Sequence, residues 1–206
     1  MMRRKLNESM GWRSCRRQIN RAGKSAPRGA RTRYDQAEQY YKLAIEADPN
    51  NANLFSAYAI FLQSQRHDYG EAERFHRRAI ALLPSDANLR GNFAQMLLAQ
   101  GRKEEGRGMI AALFDASDGD SSPALLAELW FYCYAHFWNE EPTALSELKR
   151  VLLAGDRSPG WSLQPNIERA EADGHPKVEL LKTLARVINE EAGIEELEAA
   201  GDWRAA

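Results

Sequence analysis

Residues 34–68, YDQAEQYYKLAIEADPNNANLFSAYAIFLQSQRHD, and residues 69–103, YGEAERFHRRAIALLPSDANLRGNFAQMLLAQGRK, decide the fold when set one above the other. At this offset of 35 residues Tyr34 meets Tyr69, Ala37 meets Ala72, Glu38 meets Glu73, and Ala44-Ile45 meets Ala79-Ile80. Pro49 then meets Pro84, Ala52-Asn53-Leu54 meets Ala87-Asn88-Leu89, Ala59 meets Ala94, Leu62 meets Leu97, and Gln65 meets Gln100. A period of this length marks a stack of repeated units, each too small to bury its own apolar face.

Each unit reads as two helices. Asn51 and Asp86 are placed to cap the first helix by accepting from its free amides. Phe55, Tyr58, Ala59 and Leu62 recur at three- and four-residue spacing, which sets them on one face. The turn Arg66–Gly70 follows, and the second helix runs to about Leu83, where Pro84 cannot donate into it. Small residues such as Ala59, Ala72 and Ala94 let the helices approach, and bulky neighbours fill the gaps.

These residues resemble the tetratricopeptide repeat. Phe55, Tyr58, Ala59 and Leu62 fill the first-helix pattern of that family. Ala72, His76, Ala79 and Pro84 fill the second, with His76 in place of the usual aromatic, and the family's usual 34-residue period becomes 35 in this unit through one extra residue in its turn. Ala37, Tyr41, Ala44 and Pro49 supply a preceding half-unit. The following unit keeps Phe93, Ala94 and Leu97 but departs at Arg90 and Gly106. The resemblance covers residues 34–113 and implies an all-α, right-handed helical-hairpin solenoid closed by a C-terminal helical cap. It also implies a concave groove lined by the first helices, here Asn53, Ser56, Ile60 and Gln63, then Asn88, Asn92 and Gln95. That lining is neutral and rich in amides, suited to the backbone of a partner peptide or helix. Asn53 and Asn88 serve equally well as turn stabilisers. Family members that grip a C-terminal carboxylate carry Lys and Arg one turn apart on these helices. The matching positions hold Asn53 and Ala57, then Asn88 and Asn92, so no such clamp is expected.

Beyond the repeats, Ser122-Pro123 opens a helix whose Trp130, Phe131, Tyr132, Tyr134, Phe137 and Trp138 fall within nine positions. Aromatics on every side predict burial between two layers, with an aromatic partner pocket at 123–138 as the alternative. Pro142 starts a partner helix of Ala144, Leu145, Leu148, Val151 and Leu152. A Ser/Pro/Gly stretch follows, in which Trp161 is expected to fold back on the core. A short helix near Ile167–Ala172 leads to an amphipathic one carrying Val178, Leu181, Leu184, Ala185 and Ile188. The tail ends in Trp203, tucked back or frayed. The expected division is a basic arm at 1–30, repeats at 31–116, a degenerate hairpin at 117–154 and a capping segment at 155–206.

The net charge of −1 hides a split, because residues 1–33 hold 11 Lys or Arg and one acid. Apolar residues in the arm are too sparse for a core. It reads as a solvated tail, as an electrostatic tether to nucleic acid or an anionic surface, as a transit peptide, or as sequence upstream of a start at Met10. Gly23-Lys24-Ser25 lacks the earlier glycine of a phosphate loop, since Gln18 stands there.

No catalytic constellation, metal site or cofactor fingerprint is found. Cys133-x-x-His136 supplies two ligands where zinc needs three or four. Two cysteines, Cys15 and Cys133, suit a reducing cytoplasm and no disulfide. No run approaches the length of a membrane span. The sequence therefore points to a cytoplasmic, non-enzymatic adaptor that holds another protein, with nucleic-acid association through the arm as the alternative. The N-terminal half-unit leaves one helix face that either the arm or a second copy would cover.

Overall fold

The computed structural model describes residues 28–115, 122–160 and 162–206, with side chains from residue 33 onward in the first helix. Residues 1–27 of the arm with Cys15, residues 116–121, and Trp161 lie outside the described residues, and with them every reading placed on those positions. The described residues form helices and turns without a strand, the all-helical repeat fold that the periodicity predicts. They fall into two compact units, one ending at Leu82 and one beginning at Leu83.

The first unit holds α1 (Arg28–Ala47), α2 (Ala52–Phe61) and α3 (Tyr69–Leu82). Asn51 caps α2 as expected, its side chain accepting from the Leu54 amide at 3.2 Å. Ala59, Ala72 and Ala79 are fully buried, and α2 lies closely along α3 because no side chain holds the two backbones apart. Rings fill the flanks: Tyr58 meets Phe75 at 4.7 Å between centroids, and Tyr41 meets Phe61 at 5.3 Å. Separations of this size suit tilted aromatic pairs. The extra residue of the 35-residue period is not confined to the loop. It is taken up in a wide π-turn at Leu62–Arg66, closed by His67 in the left-handed region at φ 55°. That turn sends Arg66 back to α1, where its guanidinium reaches Asp35 at 2.5 Å and Glu38 at 2.6 Å.

The second unit holds α4 (Ala87–Ala99), α5 (Lys103–Asp115), α6 (Pro123–Phe137), α7 (Ala144–Leu153), α8 (Gln164–Ala172), α9 (Val178–Ile188), a 3-10 turn at Ile194–Glu196, and α10 (Gly201–Ala205). Asp86 and Ser122 cap α4 and α6. Neighbours pair as α4 with α5, α6 with α7, and α8 with α9. The α6 aromatics are core: Phe131, Tyr132 and Phe137 are buried, while Trp130 is half-buried and Trp138 partly exposed. Pro142 sits in the turn before α7, not at its first position. The short C-terminal helix begins at Gln164, earlier than the apolar pattern placed it, because Pro165 fits a first helical turn. Trp203 is tucked in and fully buried.

Candidate partner-binding face

Positions 53, 56, 60 and 63 follow a three- and four-residue spacing and form one stripe along α2 and its π-turn. Asn53 is exposed, Ile60 and Gln63 are half-buried, and Ser56 is buried. Gln63 Oε1 lies 3.2 Å from His76 Nε2. His76 stands where the repeat pattern prefers an aromatic, and burial pushes its pKa down to about 3. The ring is therefore neutral at ordinary pH, and Nε2–H donates to Gln63. Part of the amide lining thus serves the interior of the first unit.

On α4 the outcome differs. Asn88 is exposed, but Asn92 and Gln95 are only 6% and 4% accessible. Gln95 Nε2 donates to the Ser162 carbonyl at 2.8 Å. The contact expected with a partner at Gln95 is a contact within the chain. The reason lies in the C-terminal segment, for α8 packs against both α4 and α6. Along α6, Glu128 accepts from Tyr132 Oη at 3.3 Å and from the Ser158 hydroxyl. His136 Nε2 meets Asn166 Oδ1 at 2.8 Å, and His175 Nε2 donates to the Tyr134 carbonyl at 3.2 Å. Leu163, Ile167 and Ala170 of the same segment are buried.

At the α4–α5 turn Gly101 has φ +77°, and a β-carbon there would fall 2.7 Å from the Arg169 guanidinium carbon. Arg169 and Lys103 both bind Asp173, at 2.7 and 3.0 Å, and fasten the end of α8 to that turn. The first-helix face of the second unit is thus filled by residues 158–175. One signal for this was present in the sequence. Glu128 and His136 are lone polar residues in an apolar helix, and buried polar groups require partners.

Cys133 and His136 do not make a reactive pair. Burial pushes the Cys133 thiol up to about 12 and the His136 imidazole down to about 4, so the sulfur stays protonated and the ring neutral. Among the described residues no group of three His, Cys, Asp or Glu could hold a metal ion, and no helix is long and apolar enough to cross a membrane.

Residues 63–129, which run from the π-turn through α3, α4 and α5 into α6, match the tetratricopeptide repeat family model. Over that stretch the chain is similar to a tetratricopeptide repeat. The match begins later than the resemblance drawn from the 35-residue period and extends further, into the aromatic helix. Comparisons with curated proteins and with solved structures gave no match. Tetratricopeptide repeats generally mediate protein–protein interaction.

The Gln95 bond gives a direct test of how the second unit closes. Gln95→Ala removes the donor to the Ser162 carbonyl and is expected to cost about 0.5–1.5 kcal/mol. Denaturant titration measures the loss. A change below about 0.5 kcal/mol would show that the bond does not hold the segment down.

Proposed function

We propose that the protein is a non-catalytic adaptor that binds a partner peptide or helix, and that the α2 stripe is the contact surface in the first unit. Asn53 is accessible there, with Ile60 as an apolar anchor and Gln63 beside it. The observation carrying this reading is the contrast between the units. The corresponding stripe on α4 has only Asn88 in solvent, because Asn92 and Gln95 are buried and Gln95 holds Ser162. In the second unit Asn88 is then the one residue of that stripe offered to a partner.

A half-buried isoleucine flanked by amides suits a partner with one apolar side chain and unpaired backbone groups beside it. Amide side chains bond an extended or helical backbone at either polarity of group. Such binding draws little on charge and should resist salt.

The test is capture from a lysate of the source cell with the full chain as bait, at low and high salt. Ile60→Glu and Asn53→Arg baits run beside the native one, with Arg74→Glu, on the exposed side of α3, as the control. Each bait is first shown to keep its native helical content and melting temperature. A protein retained by the native and control baits at high salt, and reduced at least about tenfold by both α2 variants, supports the reading. A protein retained equally by all four baits would overturn it, as would one released by salt alone.

A further inference from the structure

Within the second unit, the described residues of the stretch 156–163 are not helical, and they lie against α4 and α6. This strap is held as a bound peptide is held, largely through its backbone. Gln95 on α4 donates to the Ser162 carbonyl at 2.8 Å, and the Ser158 hydroxyl donates to the buried Glu128 carboxylate on α6. From the end of α9, the Ile188 carbonyl accepts from the Ser158 amide at 3.0 Å and Asn189 Oδ1 from the Gly160 amide at 3.1 Å. Leu163 is buried where the strap enters α8. Pro159-Gly160 forms a turn, with Gly160 at φ +96°, the sign that the third residue of a proline–glycine turn requires.

Both ends of the strap are fastened without its middle. Arg157 donates to the Leu152 and Asp156 carbonyls, each at 2.7 Å, and keeps the start at the end of α7. Helix α8 is held by the His136–Asn166 bond, by the ion pairs at Asp173, and by the buried Ile167 and Ala170. Among the described residues of the strap only Ser158 and Leu163 are buried. Pro159 and Gly160 are half-buried and Ser162 is exposed. A segment with so few buried apolar side chains opens at lower cost than the helices that flank it. Gly155, at φ +93° with open space about its β position, supplies a hinge at the α7 end.

We propose that residues 158–163 are a self-ligand seated in a peptide site of the second unit, and that this site takes in their place a partner segment presenting a Ser-Pro-Gly turn with a leucine three residues after the glycine. The site is separate from the α2 stripe and does not rest on it. The chemistry of the partner follows from the seat. Glu128 is a buried acceptor that takes a hydroxyl, since a buried carboxylate requires donors. Gln95 offers a donor to a backbone carbonyl two residues past the glycine, and the Leu163 position receives one apolar side chain. While the strap is seated its tether gives it an effective concentration on the order of millimolar, so an outside segment competes well only where the strap is loosened.

A fluorescent synthetic peptide of residues 156–165, titrated with the full chain and followed by anisotropy, tests this. Gly160→Val in the chain loosens the strap because a branched residue resists that φ, while nothing lies within 4 Å of an added β-carbon. Asn189→Ala loosens it by removing the acceptor of the Gly160 amide. Both variants leave Gln95 and Glu128 in place and should keep the native helical content. The expected result is weak binding to the native chain and binding at least about tenfold tighter to both variants. The same peptide carrying Leu163→Ala, or in scrambled order, should bind at least about tenfold less well. In the isotope-labelled native chain, excess peptide should speed hydrogen exchange at the chain's own Gly160 amide and leave the amides of α8 protected. A peptide that binds none of the three chains up to about 1 mM overturns the proposal. Equal binding to all three chains overturns it, as does binding indifferent to the leucine or to sequence order. Loss of native helical content in both variants also overturns it, since the strap would then be core and not a ligand.

Discussion

Trp203→Ala is expected to destabilise the second unit by about 3–5 kcal/mol, a large share of the margin a domain of this size possesses. The indole is fully buried. Its ring takes the Lys149 ammonium at 5.5 Å, its Nε1 donates to Glu198 at 3.2 Å, and its carbonyl accepts from Lys149 at 2.7 Å. Truncation removes the largest fully buried side chain among the described residues and leaves a cavity against α7 that the backbone cannot close. Chemical denaturation followed by helical signal checks this. Trp203→Phe, which keeps most of the apolar volume, should recover more than half of the loss. Equal costs for the two variants, or a cost below about 1 kcal/mol for alanine, would mean the terminal helix is not part of the core.

Acid should loosen both units as the pH falls below the ordinary range of histidine. His76 in the first unit and His136 in the second are held neutral by burial, down to about 3 and about 4. Burial also lowers His175, though the Tyr134 carbonyl it bonds works the other way. In the unfolded chain these rings take a proton near pH 6.5. Between that value and the folded one, only the unfolded chain binds the proton, so stability is full above about pH 6.5 and falls as pH falls. His136 alone accounts for a loss on the order of 3 kcal/mol by pH 4, and His76 for a similar amount or more. Glu38 is shifted down as well, chiefly by its hydrogen bond to Lys42, so its contribution is lost only at lower pH. The loss contributed by His76 and His136 therefore develops from about pH 6.5 downward.

Amide hydrogen exchange at a series of pH values reads the two units separately, through α2 for one and α6 for the other. In His136→Gln the amide can still donate to Asn166 while the titrating nitrogen is gone. The α6 slope should flatten and the α2 slope should remain. Protection that is unchanged between pH 7 and 4.5, or an α6 slope that survives in His136→Gln, would refute the account.

The sequence made the helical hairpins legible because their signals are local and repeated. Asn51, Asp86 and Ser122 cap the helices they precede, and Ala59, Ala72, Ala79 and Ala94 sit at the closest approaches, fully buried. The binding stripe was less legible because helical spacing says which residues share a face, and not what covers that face. Gln95 and Ser162 stand 67 residues apart, and no periodicity reports such a pair. The family pattern drew Asn92 and Gln95 toward a groove, whereas Glu128 and His136, which take the same covering segment, bore only the general mark of polar residues in apolar surroundings. The π-turn escaped notice for a related reason. A 35-residue period reveals that one residue has been added, and the backbone decides whether loop or helix absorbs it.

The covering segment also sets the order in which the chain acquires structure during synthesis. The helix pair α2 and α3 is complete once Leu82 has left the ribosome, and its contacts span few residues. The faces of α4 and α6 must wait for residues 158–175, and α7 waits longer still, for Trp203. Through the interval the nascent chain carries apolar helix faces with no cover, the kind of surface that chaperones hold and that aggregates when they do not. Translation that stops short of Ser158 would release a finished first unit joined to an unfinished second one.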